Sequence, residues 1–153
     1  YLGIESQEHL LESYQELQKN LPGDALLASM IESNGIEMIL GMTTDQQLGP
    51  MITIGFGGYY AEALKDAVTL MPPFTAETAT TAIKSLRMKS LLDGYRGTDP
   101  VDINAFAQMA SVFSLIAIEF KEQISEIDIN PVILGKDNCI AVDALISLHQ
   151  QKK

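Results

Sequence analysis

Three oxygen-bearing side chains near the end of the chain, Asp128, Asn130 and Asp143, stand at spacings that can bring them together. Residues Glu126-Ile127-Asp128-Ile129-Asn130-Pro131 and Ala141-Val142-Asp143-Ala144 read as two strands. Between them Gly135-Lys136-Asp137-Asn138 is rich in residues that tolerate turn backbone. A loop of those four residues makes Leu134 face Cys139 and, counting back, sets Asn130 opposite Asp143. Alternation along a strand then puts Asp128, Asn130 and Asp143 on one face, and Ile127, Ile129, Ile133, Ile140, Val142 and Ile146 on the other. Opposed residues hold their Cβ atoms about 4.5–5.5 Å apart. An amide and a carboxylate so placed are a pair of ligands for a hard cation. A wetted second face of an antiparallel sheet produces the same pattern, and a one-residue slip would separate the groups. Pro131 removes a ladder donor and so marks an edge, a strand end or a bulge, the last a device that re-aims side chains beside active sites.

Other residues carry weaker chemistry. Gly55-Phe56-Gly57-Gly58 follows a strand, as phosphate-cradling loops do, but lacks the endings of the known phosphate-loop fingerprints; a strained turn explains it equally well. Glu37 and Glu62 are acids within predicted strands, either wet or ion-paired or in contact with a ligand. Arg96 lies between flexible flanks that allow a partner close approach, or tie its loop down. His9 and His149 are distant surface residues with no acid and nucleophile beside them, and two such histidines make no zinc site. Cys139, on the predicted face of Asp143, reads as a small buried thiol with nothing basic nearby in sequence to activate it.

The elements that must position these groups follow from periodicity. Ser6–Lys19 reads as an amphipathic helix with Ser6 as N-cap and Leu10, Leu11, Tyr14 and Leu17 on one face. Ala25–Ile31 is an apolar run of strand length, broken by Glu32-Ser33-Asn34-Gly35. Ile36–Met42 and Pro50–Phe56 form a hairpin around Thr44-Asp45-Gln46-Gln47, and Tyr59–Met71 continues extended with a kink near Lys65-Asp66. Thr75 caps a helix to about Leu86. Leu91–Gly97 holds too much glycine for regular structure. Asp102 caps the longest helix, to about Glu122, with Phe106, Met109, Ala110, Phe113, Ile116, Ala117 and Phe120 at apolar positions. Helices and hairpins without a βαβ rhythm predict an α+β domain, an antiparallel sheet with helices mainly on one face.

At 153 residues the chain suits a single domain, 1–153. Its net charge of −10, from 20 acidic and 10 basic residues, repels phosphate backbones and argues against nucleic acid or an anionic membrane as partner. A bound nucleotide would therefore need a cation, or basic groups from elsewhere, to offset its charge. The start, Tyr1-Leu2-Gly3-Ile4-Glu5, lacks both a basic n-region and an initiator methionine, which reads as a piece of something longer without a secretory signal. One cysteine cannot form an internal disulfide and suits a reducing cytoplasm.

Taken in order, the motifs resemble the ATP-grasp domain of the NDP-forming acyl-CoA synthetases, relatives of succinyl-CoA synthetase. The resemblance rests on Gly35-Ile36-Glu37-Met38-Ile39-Leu40-Gly41-Met42-Thr43, Gly49-Pro50, Gly55-Phe56-Gly57-Gly58 and Glu62-Ala63-Leu64-Lys65-Asp66. It continues through Leu91-Leu92-Asp93-Gly94-Tyr95-Arg96-Gly97, Ile127–Pro131 and Ala141–Ala144. It implies that Asn130 and Asp143 hold Mg2+ bridging the phosphates of ATP or ADP. It also implies that Asp128 orients the reacting phosphoryl group, that Glu37 contacts the nucleotide at the ribose, and that the hinge Ser29, Met30, Ile31 and Glu32 borders the adenine.

The reaction so implied is acid + CoA + ATP ⇌ acyl-CoA + ADP + phosphate, through an acyl phosphate and a phosphohistidine that neither His9 nor His149 matches. The chain would then be the second lobe of the domain, inactive alone. Its expected partners are an N-terminal lobe and CoA-ligase domains, in an oligomeric cytoplasmic protein. Ser29 and Leu70 depart from the family's usual residues. Two other tasks suit the same fold: a regulatory synthetase-like module of a protein lysine acetyltransferase, and a non-catalytic assembly lobe.

Overall fold

Regular structure begins at Ser6, whose Oγ accepts the His9 amide at 3.1 Å and caps α1 (Gln7–Asn20). The computed structural model describes residues 1–31, 35–58 and 65–149, and the chain divides into two units, Tyr1–Glu32 and Ser33–Lys153. In the first unit Leu10 and Leu17 are half-buried while Leu11 and Tyr14 are exposed. The expected strand at Ala25–Ile31 does not form. Leu26 and Leu27 stand exposed in a segment without regular structure, since apolar residues of strand length become a strand only with a neighbour to bond.

The second unit is built on one antiparallel sheet. Its strands are β1 (Ile36–Asp45), β2 (Gly49–Phe56), β3 (Ala67–Leu70), β4 (Ile124–Leu134), β5 (Cys139–Ala141) and β6 (Ala144–Leu148). Their order is β3-β2-β1-β4-β5, with β6 also pairing β4. The first hairpin turns at Gln46–Leu48, where Asp45 Oδ1 accepts the amides of Gln47 and Leu48 at 2.8 and 2.9 Å. Both strands run longer than the sequence implied, and Leu48 belongs to the turn. The Leu48 and Gln47 amides hold the Asp45 carboxyl below its ordinary pKa.

Two helices cover one face, as expected. α2 (Ala76–Ser85) is capped by Thr75, whose Oγ1 accepts the Thr78 amide at 3.3 Å. α3 (Ile103–Glu119) is capped by Asp102, whose Oδ1 accepts the Ala105 amide at 2.9 Å; it ends three residues before Glu122. Met38, Leu40 and Met42 of β1 and Ile52, Ile54 and Phe56 of β2 pack against Ala79 and Ile83 of α2 and Phe106, Ala110 and Phe113 of α3. Burying each such aliphatic or aromatic side chain is worth about 1.5–3 kcal/mol. Ile116 and Phe120, expected among the packed positions, lie on the exposed side of the helix or just past its end. Buried Ser114 fixes α3 to the approach of α2: its Oγ accepts the Phe74 amide at 3.2 Å and donates to the Ser111 carbonyl at 2.6 Å.

Asp66 ties β3 to the end of α2. Its carboxylate accepts the amides of Arg87 and Met88 at 3.0 and 2.8 Å and pairs with the Arg87 guanidinium at 3.5 Å. Burial opposes ionisation of this carboxyl, but the two amides and the cation outweigh it and keep its pKa below the ordinary value. Among the described residues no helix is long and apolar enough to cross a membrane.

Candidate functional site

The second hairpin adopts the expected register. Leu134 pairs with Cys139, Ile133 with Ile140 and Val132 with Ala141; beyond the break Ile129 pairs with Ala144 and Asp128 with Leu145. Between these stretches the Asn130 amide donates to the Asp143 carbonyl at 3.2 Å, and the Val142 amide donates to the Pro131 carbonyl at 3.0 Å. Asn130 and Asp143 are therefore directly opposed, and both are exposed.

The two bonds fall on successive pairs, where a regular antiparallel ladder bonds alternate pairs. The cause is a bulge on the other edge of β4. Met38 of β1 pairs with Val132, but Leu40 pairs with Ile129, so Ile39 alone faces both Asn130 and Pro131. The Asn130-Pro131 peptide bond is cis.

This bulge corrects the face assignment made from alternation. Side chains of β4 change sides across it: Ile127 and Ile129 face the helices before it, and Val132 and Leu134 after it. Ile133 and its partner Ile140 therefore share the open face with Glu37 and Asp128 instead of lying over the core. Cys139 moves the opposite way and packs against the core, away from Asp128. Its half-burial, with the charge of Asp102 next in effect, pushes the thiol pKa up to about 11. A thiol so raised is a poor nucleophile at neutral pH. Val142 and Ile146, expected over the core, are largely exposed at the sheet edge.

On the open face the registers lay out rows across the sheet. One row runs Leu145, Asp128, Gly41, Thr53, Thr69. The next is Asn130 and Pro131, Ile39, Gly55, Ala67. The third is Ile133 and Glu37, whose carbonyl accepts the Gly57 amide at 2.7 Å. The candidate groups thus lie in sequence along the strands: Glu37, then the pair Asn130 and Asp143, then Asp128. Four residues of strand, about 13 Å, separate the rows of Glu37 and Asp128. Gly41 and Thr53 share the row of Asp128, and Ile39 and Gly55 share the row between it and Glu37.

The donor set suits a hard divalent ion. Asn130 brings an amide oxygen and Asp143 a carboxylate whose Oδ1 is aimed by the Ala144 amide at 2.8 Å. Both are oxygen ligands open to solvent, which leaves room for phosphate and water in the rest of a coordination shell. Among the described residues no group of three or more His, Cys, Asp or Glu side chains could hold a metal by itself. The opposed amide and acid are the candidate.

Of the other residues singled out, Ser29, Met30 and Ile31 lie in the irregular end of the first unit, the first two exposed. Glu32 and Glu62 fall outside the described residues. Arg96 takes a left-handed backbone with φ +53° and stacks on the Tyr95 ring at 5.4 Å. Leu70 packs against the core. Sequence reasoning missed the approach of Gly57 and Gly58 to Glu37. A hairpin register counted from the true turn would have shown it, but centring the loop on Thr44–Gln47 misplaces the pairing by three residues.

Residues 1–148 match the profile of the ATP-grasp domain. The acetate–CoA ligase (ADP-forming) I subunit beta of Pyrococcus furiosus is 36% identical, over 96% of this chain and 66% of its own length. The 4-hydroxybutyrate–CoA ligase (ADP-forming) of Nitrosopumilus maritimus is 36% identical over 80% of this chain and 18% of its own length. Among solved structures, an acetyl-coenzyme A synthetase of Ca. Korarchaeum cryptofilum superposes with a TM-score of 0.84 at 31% identity, over 97% of this chain and 67% of that one. That protein was solved with coenzyme A and Mg-AMPPCP, its phosphohistidine segment pointing towards the nucleotide-binding site. The chain spans about two thirds of the Pyrococcus subunit and a smaller part of the longer ligase. With the profile matched from the first residue almost to the last, the chain belongs to the ATP-grasp domain family.

Proposed function

We propose that this chain is the second lobe of an ATP-grasp domain in an NDP-forming acyl-CoA synthetase, and that its open sheet face receives Mg2+ and the nucleotide. The observation that carries the reading is the direct opposition of Asn130 and Asp143 on a solvent-open face. The order of groups along that face supports it. Glu37, the metal-ligand pair and Asp128 succeed one another as ribose, bridging phosphates and reacting phosphoryl do along a nucleotide.

In this reading Asn130 and Asp143 hold the ion through their side-chain oxygens, and the Ala144 amide keeps the Asp143 carboxylate in position. Bound Mg2+ supplies neutralisation of the phosphate charge, which a chain of net charge −10 cannot supply with its own cations. Asp128, opposite Gly41, orients the group transferred. Glu37 accepts hydrogen bonds from the ribose hydroxyls. Ser29, Met30, Ile31 and Glu32 border the adenine.

The whole reaction is the reversible conversion of acid, CoA and ATP to acyl-CoA, ADP and phosphate. The phosphoryl group is relayed through a histidine on a segment other than this chain. A first ATP-grasp lobe and CoA-ligase domains complete the site, in an oligomer in the cytoplasm. That the relatives named above are ligases favours this over an acetyltransferase regulator.

Phosphoryl transfer in the complete protein tests it. Radiolabel from the γ-phosphate of ATP should reach the protein histidine in the wild type and fall at least about a hundredfold in Asp143→Ala, since removing a charged ligand costs several kcal/mol of transition-state stabilisation. Undiminished labelling would leave the chain a structural lobe.

A further inference from the structure

The end of the Gly55-Phe56-Gly57-Gly58 segment lies against Glu37. The Gly57 amide donates to the Glu37 carbonyl at 2.7 Å. A Cβ built on Gly57 would stand 3.2 Å from the carbonyl carbons of both Glu37 and Met38, so the two backbones approach as closely as glycine allows. At Gly58, with φ +68°, a Cβ would collide with Glu37 Oε2 and stand 3.3 Å from Glu37 Cδ. The carboxylate thus rests over the bare Cα of Gly58.

We propose that Gly58 is a positioning residue: its missing side chain lets the Glu37 carboxylate lie across the turn in the pose that meets the nucleotide. The proposal rests on the reading of Glu37 as a ribose contact. The collision is with the far end of a flexible side chain, so any residue larger than glycine would swing the carboxylate aside with little disturbance of the sheet. The first damage would therefore appear in nucleotide binding, before folding.

The test uses the complete protein and steady-state kinetics with Mg-ATP. Gly58→Ala should raise KM for Mg-ATP about tenfold, the loss of one hydrogen bond to a charged group, with kcat little changed. Glu37→Ala should raise it as much, and adding Gly58→Ala to Glu37→Ala should raise it no further. Gly49 has φ +79° with nothing within 4 Å of a built Cβ. Gly49→Ala therefore carries the same kind of backbone strain and should leave KM unchanged. Should Gly58→Ala fail to fold, Gly58→Asn adds the same Cβ on a residue that tolerates left-handed backbone. A raised KM in Glu37→Ala with an unchanged KM in both Gly58 variants overturns the positioning role. So does a Gly58 penalty that persists in the absence of Glu37. An unchanged KM in Glu37→Ala overturns the ribose reading itself, and the proposal with it.

Discussion

The amide of Asn130 donates to the carbonyl of Asp143 across 3.2 Å, so the two residues on which the candidate cation site depends face each other directly. The bond fixes their backbones and leaves the side chains for other work. Both residues are exposed.

Asp128 lies one row further along the open face, opposite Gly41. Asp128→Asn keeps the shape and removes the charge. It should lower kcat for phosphoryl transfer about 10–100-fold while changing KM for Mg-ATP less than threefold, as expected of a group that orients without anchoring. Single-turnover kinetics with labelled ATP separates the two; a raised KM with unchanged kcat would make Asp128 a binding residue instead.

Asp66 holds the fold together away from the site. Asp66→Ala removes the acceptor of the Arg87 and Met88 amides and should cost about 2–4 kcal/mol of stability. Its folded pKa is depressed, so its contribution is present above the unfolded carboxylate value and is lost as pH falls through the lower folded one. Denaturant unfolding from pH 7 down to pH 2 should show a steeper acid loss in the wild type than in Asp66→Asn, which cannot titrate there. Equal slopes would contradict the assignment.

Cys139 should be slow to alkylate. With its pKa pushed up to about 11, only about one thiol in a thousand is ionised at pH 8. Mass spectrometry after iodoacetamide should show labelling well below that of a free thiol and rising with denaturant. Rapid labelling of the folded protein would contradict the raised pKa.

Much of this architecture was legible in residue order because local chemistry fixes it. Ser6, Thr75 and Asp102 each cap the helix expected of them. The turn Gly135–Asn138 closes with the Gly135 amide on the Asn138 carbonyl at 2.9 Å, and it alone sets the register that opposes Asn130 and Asp143. What alternation could not show is the bulge at Asn130 and Pro131, which depends on β1 as neighbour and turns Ile133 and Cys139 to the faces opposite those expected. The contact of Glu37 with Gly58 was hidden for a similar reason: it joins β1 to the residues just past β2, and that pairing is set by a turn, Gln46–Leu48, lying further along the chain than composition suggests. Ala25–Ile31 failed as a strand because hydrophobicity supplies no partner.

The dependence of nucleotide affinity on Mg2+ tests the central claim most directly. In the complete protein, calorimetric titration of ATP should tighten at least about tenfold between zero and saturating Mg2+. That gain should vanish in the double variant Asn130→Ala/Asp143→Ala, with the melting temperature of the variant nearly unchanged because both side chains are exposed. A double variant that keeps the full gain with Mg2+ would show that the ion is held elsewhere, and that the opposed amide and acid are only the wetted face of a sheet.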